Sequence, residues 1–204
     1  NIADILYEKN KKYFISNWRD SEKETFKKLK EKIINDDLDF IFGYFAELDG
    51  VQHMHTKDGK ETYSKLKSYE KKIDELFDLL NKTYENFEVA VFSDHGMTTL
   101  VKEVDIKSLI ESLDLKFGID YVAFYDSTMA RFWYLKDSAK SLIRSSVRNL
   151  SEGHFLNQEE KIKLRINFKD HMYGEDIFLV DPGVQIVPSD MGLDAIPGMH
   201  GYTP

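Results

Sequence analysis

Apolar residues return at steps of three and four in several stretches of the chain and predict amphipathic helices. Over residues 21–35 they are Phe26, Leu29 and Ile33. They follow Ser21-Glu22-Lys23-Glu24, whose Ser and second Glu have the spacing of a capping box. Over residues 61–84 the stripe is Leu66, Tyr69, Ile73, Leu76, Phe77, Leu80 and Tyr84, with Lys, Glu and Asp between. Ala139, Leu142, Ile143, Ser146, Val147 and Leu150 share one face of a further helix, and residues 105–113 read as a shorter one. The lysine-rich faces of helices 21–35 and 61–84 read as solvated exteriors, because acidic residues are interspersed.

Two short apolar runs, 38–45 and 87–92, have the unbroken character of buried parallel strands. Residues 121–125 and 129–135 predict a hairpin; Phe132, Trp133 and Tyr134 alternate faces there, as core packing requires. Residues 176–180 and 184–187 predict two more strands around the turn Asp181-Pro182-Gly183. The strand–helix–strand order over 38–92 favours a parallel α/β sheet, in which sites form at the carboxyl ends of strands. The expected organisation is a core over 1–100, a small α/β insert over 101–195 and a return to the core over 196–204.

Composition narrows the chemistry. With 42% hydrophobic and 31% charged residues, the 204-residue chain is an ordinary globular one. No apolar run approaches the ~20 residues of a membrane span, and no signal-peptide pattern opens the chain. The start at Asn1 reads as a cut from something longer, or as processing. A net charge of −8 disfavours a nucleic-acid backbone as partner. The absence of cysteine excludes disulfides, thiolate metal sites and a cysteine nucleophile. A metal would therefore be held by His, Asp and Glu, and an anionic substrate would need such a local cation.

Three segments supply suitable donors. Asp49-Gly50-Val51-Gln52-His53 follows the first predicted strand, and Ser93-Asp94-His95-Gly96-Met97 follows the second. Gly198-Met199-His200-Gly201-Tyr202 lies near the end. Carboxylate oxygen and imidazole nitrogen suit zinc and similar divalent ions. The adjacent Asp94 and His95 can point together in a tight loop, where Gly96 gives freedom. Glu47 is a candidate neighbour of the site, whereas His55, His154 and His171 read as surface residues.

These segments, in this order and with a variable insert before the last His, resemble the type I phosphodiesterase/nucleotide pyrophosphatase family. The resemblance implies an alkaline-phosphatase-like parallel-sheet core, incomplete here, with a small α/β insert. It implies two divalent ions, most readily zinc, one held by Asp49, His53 and His200 and the other by Asp94 and His95. It implies hydrolysis of a small phosphorylated substrate, such as a nucleotide or another phosphodiester, through a covalent phospho-enzyme. The family's Thr or Ser nucleophile and a further Asp stand well before the Asp-x-x-x-His pair. Neither Ser16 nor Ser21 matches that nucleophile, so it is expected in sequence preceding Asn1 and this chain alone is expected to be inactive. Two other readings stay open: a sulfatase or phosphoethanolamine transferase on the same core, and a non-catalytic metal-binding module.

Overall fold

The computed structural model describes residues 1–203 and divides into two compact units, residues 1–94 and the chain from His95 onward. No helix among the described residues is long and apolar enough to cross a membrane.

The first unit is mostly helical. Helix α1 (Ile2–Glu8) is closed at its start by a reciprocal capping box between Asn1 and Asp4. Strand β1 (Tyr13–Ile15) leads into α2 (Glu22–Asn35), where Ser21 Oγ accepts from the Glu24 amide at 3.2 Å. The chain returns as β2 (Phe40–Phe42), parallel to β1 with Tyr13 opposite Phe40. Helices α3 (Glu47–His55) and α4 (Lys60–Thr83) form a tight hairpin. Gly59 makes that turn possible, since a Cβ there would lie 2.1 Å from the His55 carbonyl oxygen. The buried Thr62 hydroxyl then donates to the Thr56 carbonyl at 2.6 Å.

Three details of this unit differ from the sequence expectation. The parallel pair is β1 with β2, and the run 87–92 forms no strand. Val91 and Phe92 are exposed, although the Phe92 ring lies 6.3 Å from that of Phe42. An apolar run supplies strand propensity, but a strand also needs a partner for its backbone groups. The lysine faces are not wholly solvated either. Lys65 and Lys72 turn inward onto the nearly fully buried Glu22.

The second unit holds the larger core. Strand β3 (Thr98–Thr99) precedes β4 (Lys102–Val104) and α5 (Ile106–Glu111). Next come β5 (Tyr121–Tyr125), β6 (Met129–Tyr134) and α6 (Asp137–Val147), then β7 (Gly153–Phe155) and α7 (Gln158–Lys163). Strands β8 (Asp176–Val180), β9 (Val184–Ile186) and β10 (Gly198–Met199) complete it. Strands β5, β6, β8 and β7 form an antiparallel sheet in that order.

Period-two alternation decides which residues meet the helices. Tyr121, Ala123 and Tyr125, with Phe132 and Phe178, join Ile106, Ile110, Ile143 and Val147 in one cluster. The opposite parity of β8, Ile177 and Leu179, packs with Leu156 in a second. Strand β8 is thus buried along its whole length, which its apolar DIFLV sequence tolerates because its one carboxylate is paired. Asp176 takes both oxygens to Arg144 Nη1 at 2.8 Å and accepts the Tyr134 hydroxyl at 2.8 Å. At the base of the unit β3 pairs antiparallel with β10.

Candidate metal centre

Within the first unit, Asp49 and His53 lie on α3, not in the loop that the sequence suggests. One helical turn separates them, so both project from the same face. His53 Nε2 stands 3.4 Å from Asp49 Oδ1. Two ligands on a tetrahedral zinc with ~2.0–2.1 Å bonds lie about 3.3 Å apart. The pair therefore has the spacing of two donors on one ion. Both side chains are half-buried.

The helix that carries them has no cap of its own. Ala46 occupies the cap position and offers no side-chain acceptor. The first amides of α3 instead reach other helices: the Glu47 N–H donates to Glu22 Oε1 at 2.8 Å, and the Leu48 N–H donates to Tyr69 Oη at 3.2 Å. Glu47 itself pairs with Lys65 at 2.5 Å, and that bond holds its carboxyl below the usual range. Asp94 closes the first unit in an exposed bend.

Within the second unit, the two-residue ladder of β3 and β10 brings distant histidines together. His95 lies three residues before β3, and His200 directly follows β10. Antiparallel register carries the chain on from Met199 opposite Thr98. The His95 and His200 rings consequently stack, with centroids 3.7 Å apart and planes 20° apart. His95 Nδ1 lies 3.0 Å from the Gly96 carbonyl oxygen. That bond selects the tautomer with the proton on Nδ1, which puts the lone pair on Nε2, the usual way a ligating imidazole is oriented.

His200 is well anchored from its C-terminal side. Gly201 has φ +99°, and a Cβ there would lie 2.8 Å from Thr128 Oγ1, so the position requires glycine. Thr128 Oγ1 donates to the Gly201 carbonyl at 3.2 Å, and the Tyr202 hydroxyl donates to the Val184 carbonyl at 2.8 Å. Burial pushes the Tyr202 phenol up to about 12.

The other histidines have local structural partners. His55 Nδ1 lies 3.5 Å from Glu61, and His154 Nε2 lies 2.9 Å from Glu160. His171 accepts the Trp133 indole N–H on its backbone carbonyl at 2.7 Å. The serines nearest the start are committed too: Ser16 Oγ accepts the Tyr44 amide at 2.9 Å and Ser21 caps α2. Sequence reasoning misses Glu22, Lys65 and Tyr69 as neighbours of the site-bearing helix. A signal is present nonetheless: Glu22 occupies the inward stripe of α2, in register with Phe26, Leu29 and Ile33.

The sequence model of the family described as type I phosphodiesterase / nucleotide pyrophosphatase matches residues 3–203. No curated protein matches the chain. Among solved structures, human ectonucleotide pyrophosphatase / phosphodiesterase 5 is 19% identical with a TM-score of 0.73, over 94% of this chain and 50% of that one. The murine counterpart, an inactive form in complex with AMP, is 21% identical with a TM-score of 0.71, over 94% and 50%. Phosphonoacetate hydrolase from Sinorhizobium meliloti, in complex with phosphonoformate, is 14% identical with a TM-score of 0.64, over 89% and 47%. These likenesses establish an α/β fold of the alkaline phosphatase kind. The chain spans about half the length of each of these structures.

Proposed function

Because the chain belongs to the type I phosphodiesterase/nucleotide pyrophosphatase family, we propose that it forms the metal-binding part of a two-metal phosphohydrolase. In this reading Asp49, His53 and His200 hold one divalent ion, and Asp94 and His95 contribute to a second. The observation that carries it is the 3.4 Å spacing of Asp49 Oδ1 and His53 Nε2, one turn apart on α3. Asp49 and His53 are half-buried, and one carboxylate with two imidazoles is a donor set that suits zinc in an open catalytic site, with a place left for water. The stacked His95 and His200 rings suit neighbouring ions, which in such sites lie ~3.5–4 Å apart.

When bound, such a metal pair polarises phosphoryl oxygens and lowers the pKa of water. The chain's own residues orient that chemistry. Asp49 and His53 are fixed relative to each other by the helix, and His95 is held in one tautomer by the Gly96 carbonyl. His200 is fixed from its C-terminal side by the bonds at Gly201 and Tyr202. The proposed substrate is a small phosphate ester, a nucleotide or other phosphodiester, consistent with the AMP bound by the murine protein. In this reading neither Ser16 nor Ser21 supplies the nucleophilic hydroxyl: Ser16 Oγ accepts the Tyr44 amide and Ser21 caps α2. Residues 101–195 form the insert in this reading, closed at its base by the β3–β10 ladder. The sulfatase-like reading is less favoured, because an Asp-x-x-x-His pair joined by a late His matches the phosphodiesterase pattern; the non-catalytic reading would be favoured by metal content without hydrolysis in the full-length parent.

The site with three ligands fills first, because the second retains only two of this chain's donors. Calorimetric titration of zinc into the 204-residue chain, followed by AMP into the zinc-loaded form, tests this. Zinc uptake should fall at least tenfold in affinity in Asp49→Ala, His53→Ala and His200→Ala, and AMP should bind only the loaded chain. Asp94→Ala should spare the first equivalent. Tight zinc uptake unchanged by His53→Ala and His200→Ala would remove the proposal.

A further inference from the structure

The amides at the start of an α-helix lack intrahelical acceptors, and an end left without partners frays. Helix α3 lacks a side-chain cap, yet it carries Asp49 in its first turn. Its N-terminal donors are taken up from two other helices. Glu22, only 3% exposed, extends from α2. Its Oε1 accepts the Glu47 N–H at 2.8 Å and also the Tyr69 hydroxyl. Its Oε2 takes the Lys65 ammonium at 2.7 Å. Tyr69, from α4, in turn accepts the Leu48 N–H at 3.2 Å, and its ring packs 5.7 Å from Phe45 just before α3. Lys65 bridges on to Glu47, the first residue of α3. A buried carboxylate at a helix N-terminus is also favoured by the helix dipole.

We infer that Glu22, Tyr69 and Lys65 form a cap in trans that positions α3, and with it the Asp49–His53 ligand pair, for metal binding. The inference rests on the metal-site reading above. It assigns no ligand role to the three residues; they act through the backbone of α3. A purely structural stitch would lower stability while leaving metal affinity alone. A positioning role lowers affinity in a chain that is still folded. Groups that orient metal ligands typically change affinity by ~10–100-fold when removed. Tyr69→Phe deletes one hydroxyl and keeps the ring against Phe45, so about tenfold is expected. Glu22→Gln keeps an oxygen acceptor for the Glu47 amide and should weaken binding less than Glu22→Ala.

The test uses the 204-residue chain and zinc as the probe, with two readouts. Calorimetry gives zinc affinity, and amide hydrogen exchange of the metal-free chain gives the protection of α3. Tyr69→Phe should lose about tenfold in affinity and exchange its Leu48 amide faster, with the helical circular dichroism kept. Ile33→Val, a buried change on α2 outside this network, serves as the stability control and should leave zinc affinity unchanged. Faster exchange in Tyr69→Phe with unchanged zinc affinity would overturn the positioning role while leaving the metal site intact. Equal weakening by Ile33→Val would overturn it as well. Failure of the unsubstituted chain to bind zinc would overturn the metal-site reading, and the positioning role with it.

Discussion

The two units reach order by different means. The second hides a continuous apolar cluster, with Ile106, Ile110, Phe132, Ile143, Val147, Phe178 and Ile186 all fully buried. The first buries little beyond Phe26, Leu29 and Ile33, and places Glu22, Thr25 and Thr62 inside beside them. Its helices are joined by bonds from buried or half-buried polar groups: Thr62 to Thr56, Glu22 to Glu47, Tyr69 to Leu48. Apolar burial is non-directional and tolerant, whereas hydrogen bonds to backbone amides fix direction. A unit that carries candidate ligands at a set distance gains from the second kind of order. The contrast implies that substitutions in the sheet core act on stability, and substitutions in the helical network act on geometry.

The largest effect should come from the sheet. Phe178→Ala removes a fully buried ring from the cluster around β8 and should cost about 3–5 kcal/mol. With Trp18→Phe as background, Trp133 fluorescence reports the second unit alone, and its melting midpoint should fall by ~15 °C. A shift of only a degree or two would mean that the core is less closely packed than its burial indicates. Arg144→Met comes next. It strips the partner from the nearly buried Asp176 and should cost about 2–3 kcal/mol, less than a fully buried pair because Arg144 is partly exposed. Asp176→Asn in the same background should recover part of that loss.

Alkaline pH separates the units more gently. Burial raises the phenols of Tyr121, Tyr125, Tyr134 and Tyr202 in the second unit, and that of Tyr69 in the first. A folded pKa above the unfolded value of ~10 gives stability that is complete below pH 10. That stability disappears as pH climbs toward the folded value, about 12 for Tyr202. Urea unfolding at pH 11 should therefore show a loss of roughly 1–2 kcal/mol in the second unit, discounted for partial exposure. The loss in the first should be smaller. Equal losses would contradict the assignment of the buried phenols. The smallest effect has the opposite sign. Thr25 is fully buried and its hydroxyl has no hydrogen-bond partner among the described residues, so Thr25→Val should stabilise the first unit by about 1 kcal/mol.

The same contrast explains what the sequence discloses. Helices α2 and α6 and strands β5, β6, β8 and β9 are legible because each buries its apolar residues, and periodicity records burial; α4 is legible from the same periodicity, although its stripe is only partly covered. Strand β1 is three residues between polar neighbours and leaves no such record. Helix α3 hides for a related reason: Gly50 in its interior lowers its intrinsic propensity, and its caps come from residues 25 and 21 positions away. Asp49 and His53 are therefore legible as candidate ligands by type and spacing, while the helix that sets their separation is not. The stacking of His95 on His200 is likewise hidden, because it depends on a ladder of two residues on each side. Run 87–92 shows the converse case, a strand-like pattern without a ladder partner.

Under the proposed function α3 supplies two ligands to one ion and His200 a third. X-ray absorption at the zinc edge, on the chain loaded with one equivalent, addresses it most directly. Two imidazole nitrogens at ~2.0–2.1 Å and oxygen donors completing a four-coordinate shell are expected, falling to one imidazole in His53→Ala and likewise in His200→Ala. A shell without imidazole, or one unchanged by both substitutions, would contradict the account.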